Sequence, residues 1–203
     1  MLSKNMSRVP ELYGLVLAGG KSTRMGRDKG LINWYDKPQR EHVADLLKSY
    51  CQQIFISCRA EQQKEIEQDG YTPLADFYKD SGPLGGILSA FKQNKDAAWL
   101  VVACDLPLID RQHLDYLCAQ RNPAVMATAF TGTDGLPEPL VTIWEPSASP
   151  VLTASLEKGL SSPRNVLLRN EITLLKPFHQ MVLSNVNSRD EAEKIRKMYF
   201  KAE

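Results

Sequence analysis

The chain has 203 residues, of which 43% are hydrophobic, and a formal net charge of +1. That length and apolar content suit one domain with a large core, and so even a charge balance excludes a general nucleic-acid coat. No apolar run reaches the roughly eighteen residues of a bilayer span, and the start lacks the regions of a signal peptide.

A cytoplasmic protein with no membrane partner is therefore expected, and the cysteines agree. Cys51, Cys58, Cys104 and Cys118 show no C-x-x-C spacing, do not suit a structural zinc site, and fall mostly in apolar runs, as buried thiols of a reducing compartment do. Residues 1–10 are polar and expected to be disordered, which leaves 11–203 as a single domain.

Residues 13–18 form an apolar run of strand type that stops at Gly19-Gly20. Glycine lets the backbone approach a ligand with no Cβ in the way. Lys21, Arg24, Arg27 and Lys29 then set four cations against one carboxylate, Asp28. A strand opening into a glycine turn and a cationic loop suits an anion such as phosphate. The Walker pattern is out of register, because the glycine it needs five residues before Gly20 is Leu15, and no G-x-G-x-x-G follows the strand. Lys29 has no local ion-pair partner except its neighbour Asp28, so it is expected to be free for an external anion.

Val43, Leu46, Leu47 and Tyr50 lie at helical spacing within residues 40–50, and residues 53–57 read as a short buried strand. Residues 61–68 read as a solvated helix with surface charges. Residues 73–76 form a strand ending in the carboxylate Asp76, and Gly82-Pro83 opens a helix with Leu84, Ile87, Leu88 and Phe91 on one face. Residues 99–104 are the most continuous apolar run and hence the central strand. Asp105 follows at its carboxyl end, where open α/β sheets bind ligands, and this position favours a metal ligand.

Residues 111–120 read as helix, residues 124–130 and 140–144 as strands flanking a hairpin or cleft loop, and residues 150–157 and 163–168 as helices. Residues 172–175 are a further strand. Ser188-x-x-Glu191 is a capping box that starts a final helix. His42, His113 and His179 share no ligand-like spacing and are expected on helix or loop surfaces. The alternation of strands and helices predicts a three-layer α/β/α, Rossmann-like fold around a mostly parallel sheet.

The pattern L-A-G-G-x-S-x-R-M-G-x-D-K at residues 17–29 resembles that of the nucleotidyltransferases, and specifically the molybdenum cofactor guanylyltransferases. Gly82-Pro83-Leu84-x-Gly86, Cys104-Asp105-x-Pro107 and Asn185-Val186-Asn187 are similar to that family's later motifs, in order. The resemblance implies transfer of GMP from GTP to the terminal phosphate of molybdopterin, with release of pyrophosphate. It implies GTP contacts from Leu17, Ala18, Gly19, Gly20, Ser22, Lys29, Asp76, Gly82 and Asp105, and catalytic roles for Arg24, Lys29 and Asp105. Asp105 and Asn187 would approach Mg²⁺, and a molybdopterin-delivering protein is a further expected partner.

One departure is Cys58, which stands near the position where the family often has asparagine, so that contact is lost or passes to Ser57 or backbone. Three alternatives remain beside this reading. One is a relative using CTP or a sugar 1-phosphate, for which L-A-A-G and P-P-x-x-G would be the more usual motifs. Another is a non-catalytic nucleotide-binding protein, and the third is a plain α/β domain in which these residues are only turns and caps.

Overall fold

Seven strands form one sheet in the order β3-β2-β1-β4-β6-β5-β7. The computed structural model describes residues 9–19, 29–78 and 80–200. Gly20, Ser22 and Arg24 lie outside the described residues, as do residues 1–8 of the segment expected to be disordered.

The parallel half comprises β1 (Leu12–Leu17), β2 (Ile54–Cys58), β3 (Thr72–Ala75) and β4 (Ala98–Ala103). In the other half, β6 (Pro137–Trp144) runs antiparallel to both β4 and β5 (Ala127–Thr131), and β7 (Thr173–Leu175) pairs parallel with β5. Only β6 runs against the rest. The expected hairpin between β5 and β6 is present, but β6 begins at Pro137 rather than at residue 140. Proline is tolerated there because the first residue of a strand need not donate to the ladder.

The helices cover both faces, which gives the expected three layers. On one face Val16, Ile56, Leu100 and Val102 pack with Val43 and Leu47 of α1 (Gln39–Leu47), Ile66 of α2 (Gln63–Gln68), and Leu114 and Leu117 of α4 (Arg111–Ala119). On the other, Leu15, Phe55, Trp99 and Val101 pack with Leu84, Ile87 and Leu88 of α3 (Gly82–Gln93), Leu152 of α5 (Ala148–Glu157), and Val166 and Leu167 of α6 (Pro163–Leu168). All six residues of β4 are buried. Its apolar run is unbroken because a strand with helices on both faces has no side to give to water.

A third cluster lies apart from these two. Ile32, Trp34 and Val186 pack with Ala192 and Ile195 of α7 (Arg189–Tyr199). This helix begins at the predicted capping box, with Ser188 accepting from Glu191 N.

One expectation about polar residues is corrected by the packing. His113 is fully buried, not on a surface. Its backbone N–H donates to Asp110 Oδ1, and its Nδ1 lies 2.7 Å from the same oxygen, so the N-cap of α4 satisfies the ring as well as the helix. The charges of α2 lie on the surface as expected, but one of them partners a buried cation of α1. Arg40, 2% exposed, donates to Glu65 at 2.7 Å and Asp69 at 3.1 Å. A buried guanidinium needs such partners, and α2 and its C-terminal turn supply them. His42 stacks on Tyr35 with ring centroids 3.9 Å apart. The four cysteines are free thiols, and burial pushes those of Cys58 and Cys118 up to about 11, which keeps them unreactive.

Candidate functional site

Because β1 to β4 run parallel, their carboxyl ends open on one edge of the sheet. A cavity of about 650 Å³ lies there, a size suited to a nucleotide, with Leu17 ending β1, Ala18 and Gly19 after it, Ser57 in β2, Asp76 after β3 and Asp105 beyond β4 along its wall. Lys29 and Gly82 also line it. The structure therefore brings together every described residue of the predicted site except Asn187, which joins the cavity through Lys29.

The turn after β1 is glycine for a steric reason. A Cβ on Gly19 would sit 2.9 Å from Asp76 Oδ2 and 3.3 Å from Ser57 Oγ. On the facing helix, a Cβ on Gly86 would meet Leu17 Cδ2 at 2.6 Å and Ser57 Oγ at 3.2 Å. Two glycines thus make room for a polar pair between them, in which Ser57 Oγ donates to Asp76 Oδ1 at 2.8 Å. Burial pushes the Asp76 carboxyl above its ordinary range, and the Ser57 hydrogen bond pulls it back in part. The asparagine-like position thus resolves into a division of labour: Ser57 faces the cavity, while the Cys58 side chain is buried in the core. Gly82 opens α3 with φ of +57°, and Pro83 occupies the first turn, where its missing N–H costs nothing.

Across the cavity, Asp105 Oδ2 lies 3.5 Å from Lys29 Nζ, and both side chains are about four-fifths buried (18% and 20% exposed). Burial raises the Asp105 carboxyl, and the Lys29 charge opposes that rise. Its other oxygen, Oδ1, is buried with no hydrogen-bond partner among the described residues. Lys29 Nζ also donates to Asn187 Oδ1 at 2.6 Å. The expectation of a lysine free of partners is thereby corrected: its partners come from residues 105 and 187, far along the chain and invisible to local spacing.

Glu138, also missed in the sequence, completes the neighbourhood on the β6 side. It is buried and accepts from Leu140 N and from Arg164, which also donates to Asp134. Burial chiefly raises its carboxyl, and the charge of nearby Asp105 adds to that. A carboxylate at the start of a strand that reverses beside β4 was the only signal that could have found it.

Among the described residues no three His, Cys, Asp or Glu side chains gather to hold a metal ion. Nor is any helix among them long and apolar enough to cross a membrane.

A mostly parallel sheet with a glycine turn, a lysine and a carboxylate converging at its carboxyl edge defines an α/β nucleotide-binding enzyme. Residues 14–173 match the MobA-like NTP transferase domain, and the chain belongs to that family of nucleotidyltransferases. It is 37% identical over 188 residues to a molybdenum cofactor biosynthesis bifunctional protein of Synechocystis, covering 92% of this chain but 54% of that one. The chain thus spans about half the length of that relative. It is 31% identical over 196 residues to a molybdenum cofactor guanylyltransferase of Pseudomonas putida, covering 91% of this chain and 97% of the other. The crystal structure of molybdopterin-guanine dinucleotide biosynthesis protein A from Archaeoglobus fulgidus has the same fold, with a TM-score of 0.77 at 22% identity, over 94% of this chain and 100% of that one.

Proposed function

We propose that the chain transfers GMP from GTP to the terminal phosphate of molybdopterin and releases pyrophosphate, forming the guanine dinucleotide cofactor. The observation that carries this reading is the meeting of Lys29, Asp105 and Asn187 at the edge of a nucleotide-sized cavity. The similarity to guanylyltransferases supplies the identity of base and acceptor. An oxygen of the acceptor phosphate attacks the α-phosphorus of GTP, and the bond to the bridging oxygen of the β-phosphate breaks. This displacement asks the protein for position and charge neutralisation rather than for a covalent intermediate.

In this reading, Leu17, Ala18 and Gly19 offer backbone to the nucleotide, Asp76 with Ser57 meets the base, and Gly82 at the start of α3 faces the phosphates. Lys29 counters the charge that grows on the departing pyrophosphate. Gly20, Ser22 and Arg24 are assigned to the triphosphate from the motif alone.

Mg²⁺ fits the donor set: Asp105 has a carboxylate oxygen with no hydrogen-bond partner among the described residues, and this ion binds through one or two carboxylates plus phosphate oxygens. Asp105 would hold it. Asn187 belongs to the same cluster, but its amide oxygen already accepts from Lys29. When bound, the ion would neutralise phosphate charge. The reading also brings a cytoplasmic location and a molybdopterin-delivering protein as partner.

Pyrophosphate release with each of the four NTPs, with and without molybdopterin, tests the proposal. Release that needs both GTP and molybdopterin is expected. Equal rates with CTP and GTP, or none with GTP and molybdopterin, would overturn it.

A further inference from the structure

The cap of α7 reaches further than a helix requires. Glu191 Oε2 accepts from Ser188 N at 3.1 Å, as a capping box demands, but its shorter bond, 2.6 Å, is to Asn187 N, one residue ahead of the cap. The residue before that, Val186, donates its N–H to the carbonyl of Asp105 at 2.8 Å. The backbone of Asn187 is therefore held on one side by α7 and on the other by the end of β4. Its side chain accepts from Lys29.

The same helix also seats the segment that follows Lys29. Ala192 and Ile195 pack on Ile32 and Trp34, and Arg196 donates to Asn33 O at 3.0 Å. Phe200, just beyond the helix, lies with its ring centroid 5.2 Å from that of Trp34.

We infer that α7 is the positioning element for Lys29, and that Glu191 is a positioning residue acting through the Asn187 backbone. This rests on the proposed nucleotidyl transfer for its consequence, though not for its geometry. Glu191 fixes where the Asn187 amide oxygen lies, and that oxygen, with Asp105 Oδ2, fixes where the ammonium lies. An ångström of displacement at a charged group can cost about 10²-fold in rate without much change in ground-state binding.

Ser188→Ala and Glu191→Ala separate this role from simple capping. Ser188→Ala removes the bond to Glu191 N but leaves the one between Glu191 and Asn187. Both variants are expected to melt lower, because each loses half of the box. Only Glu191→Ala is expected to lose kcat, by about 10–100-fold, with KM for GTP within about threefold of wild type. Glu191→Gln keeps an acceptor oxygen and should restore the rate.

A second measurement needs no turnover: acetylation of the full-length chain with acetic anhydride, with Lys29 followed by mass spectrometry. Lys29 should label several-fold faster in Glu191→Ala than in wild type or Ser188→Ala. Equal kcat in the two alanine variants, or unchanged Lys29 labelling in Glu191→Ala, would overturn the inference. A wild type that releases no pyrophosphate from GTP and molybdopterin would overturn the proposed function instead, and labelling alone would then decide the clamp.

Discussion

Asp76 and Asp105 stand at the carboxyl ends of two parallel strands on opposite sides of one cavity, yet they are held in different ways. Burial pushes both carboxyls up. Asp76 is answered by a neutral hydroxyl, that of Ser57, whereas Asp105 is answered by the ammonium of Lys29. Among the described residues Asp105 also keeps one oxygen with no hydrogen-bond partner. A carboxylate partnered by a hydroxyl keeps its charge available to uncharged N–H donors such as those of a base edge. One partnered by a lysine belongs to a cluster of mixed sign, suited to phosphate and a cation together. In the proposed reading, the same strand-end position serves two chemistries, and the partner decides which.

Asp105→Asn should break the contrast most severely. The amide keeps the shape but not the charge, and turnover should fall by about 10³-fold, at the upper end for loss of one preorganised group. Near-normal pyrophosphate release across a Mg²⁺ titration would remove Asp105 from the site.

Lys29→Ala should cost about 10²-fold in single-turnover rate at saturating GTP. It also makes Asp105 resemble Asp76 by taking away its cation. Because Lys29 holds the Asp105 carboxyl down against burial, the acid limb of the pH–rate profile should move to higher pH in the variant. An acid limb that does not move would separate the two side chains.

Asp76→Asn should reduce the preference for GTP over CTP by about tenfold, the loss of roughly one charged hydrogen bond, as measured by calorimetry. It should also stabilise the fold at neutral pH. The folded protein holds the Asp76 proton more tightly than the unfolded chain does, so ionisation destabilises the native state as pH rises past the ordinary value of 3.8. Removing that ionisation should raise the melting temperature at pH 7. The gain should vanish in acid below that value. A variant melting lower at pH 7 would show that the charge is satisfied.

Ser57→Ala should have the smallest effect, about fivefold in GTP affinity for one hydrogen bond of roughly 1 kcal/mol. It should act in the same direction as Asp76→Asn and add little to it. Independent, additive losses would dissolve the pair.

Much of this architecture was legible because local pattern and global fold agree. The continuous run of β4 reads as a strand buried on both faces, and the capping box at Ser188 begins the helix it predicts. The glycine turn, Asp76 and Asp105 could be placed because parallel strands bring their carboxyl ends to one edge. What escaped were pairings between residues far apart in the chain. Nothing near Lys29 announces Asn187, and Arg-Gln-His at the start of α4 gives no hint that Asp110 satisfies a buried imidazole. Glu138 escaped for a related reason: it pairs with Phe130 of β5 and meets Arg164 of α6, which are properties of the fold and not of the segment.

The pairing of β1 with β4 bears on the order in which the molecule assembles. Leu12 through Leu17 align with Ala98 through Ala103, so the two walls carrying Gly19 and Asp105 meet only when a parallel pairing closes over most of the first hundred residues. Contacts of such sequence separation form slowly, because the chain gives up its freedom before they reward it. The place of Lys29 depends in addition on Asn187 and α7, which come from the far end of the chain. During refolding, far-ultraviolet ellipticity should therefore recover before the chain can retain a nucleotide.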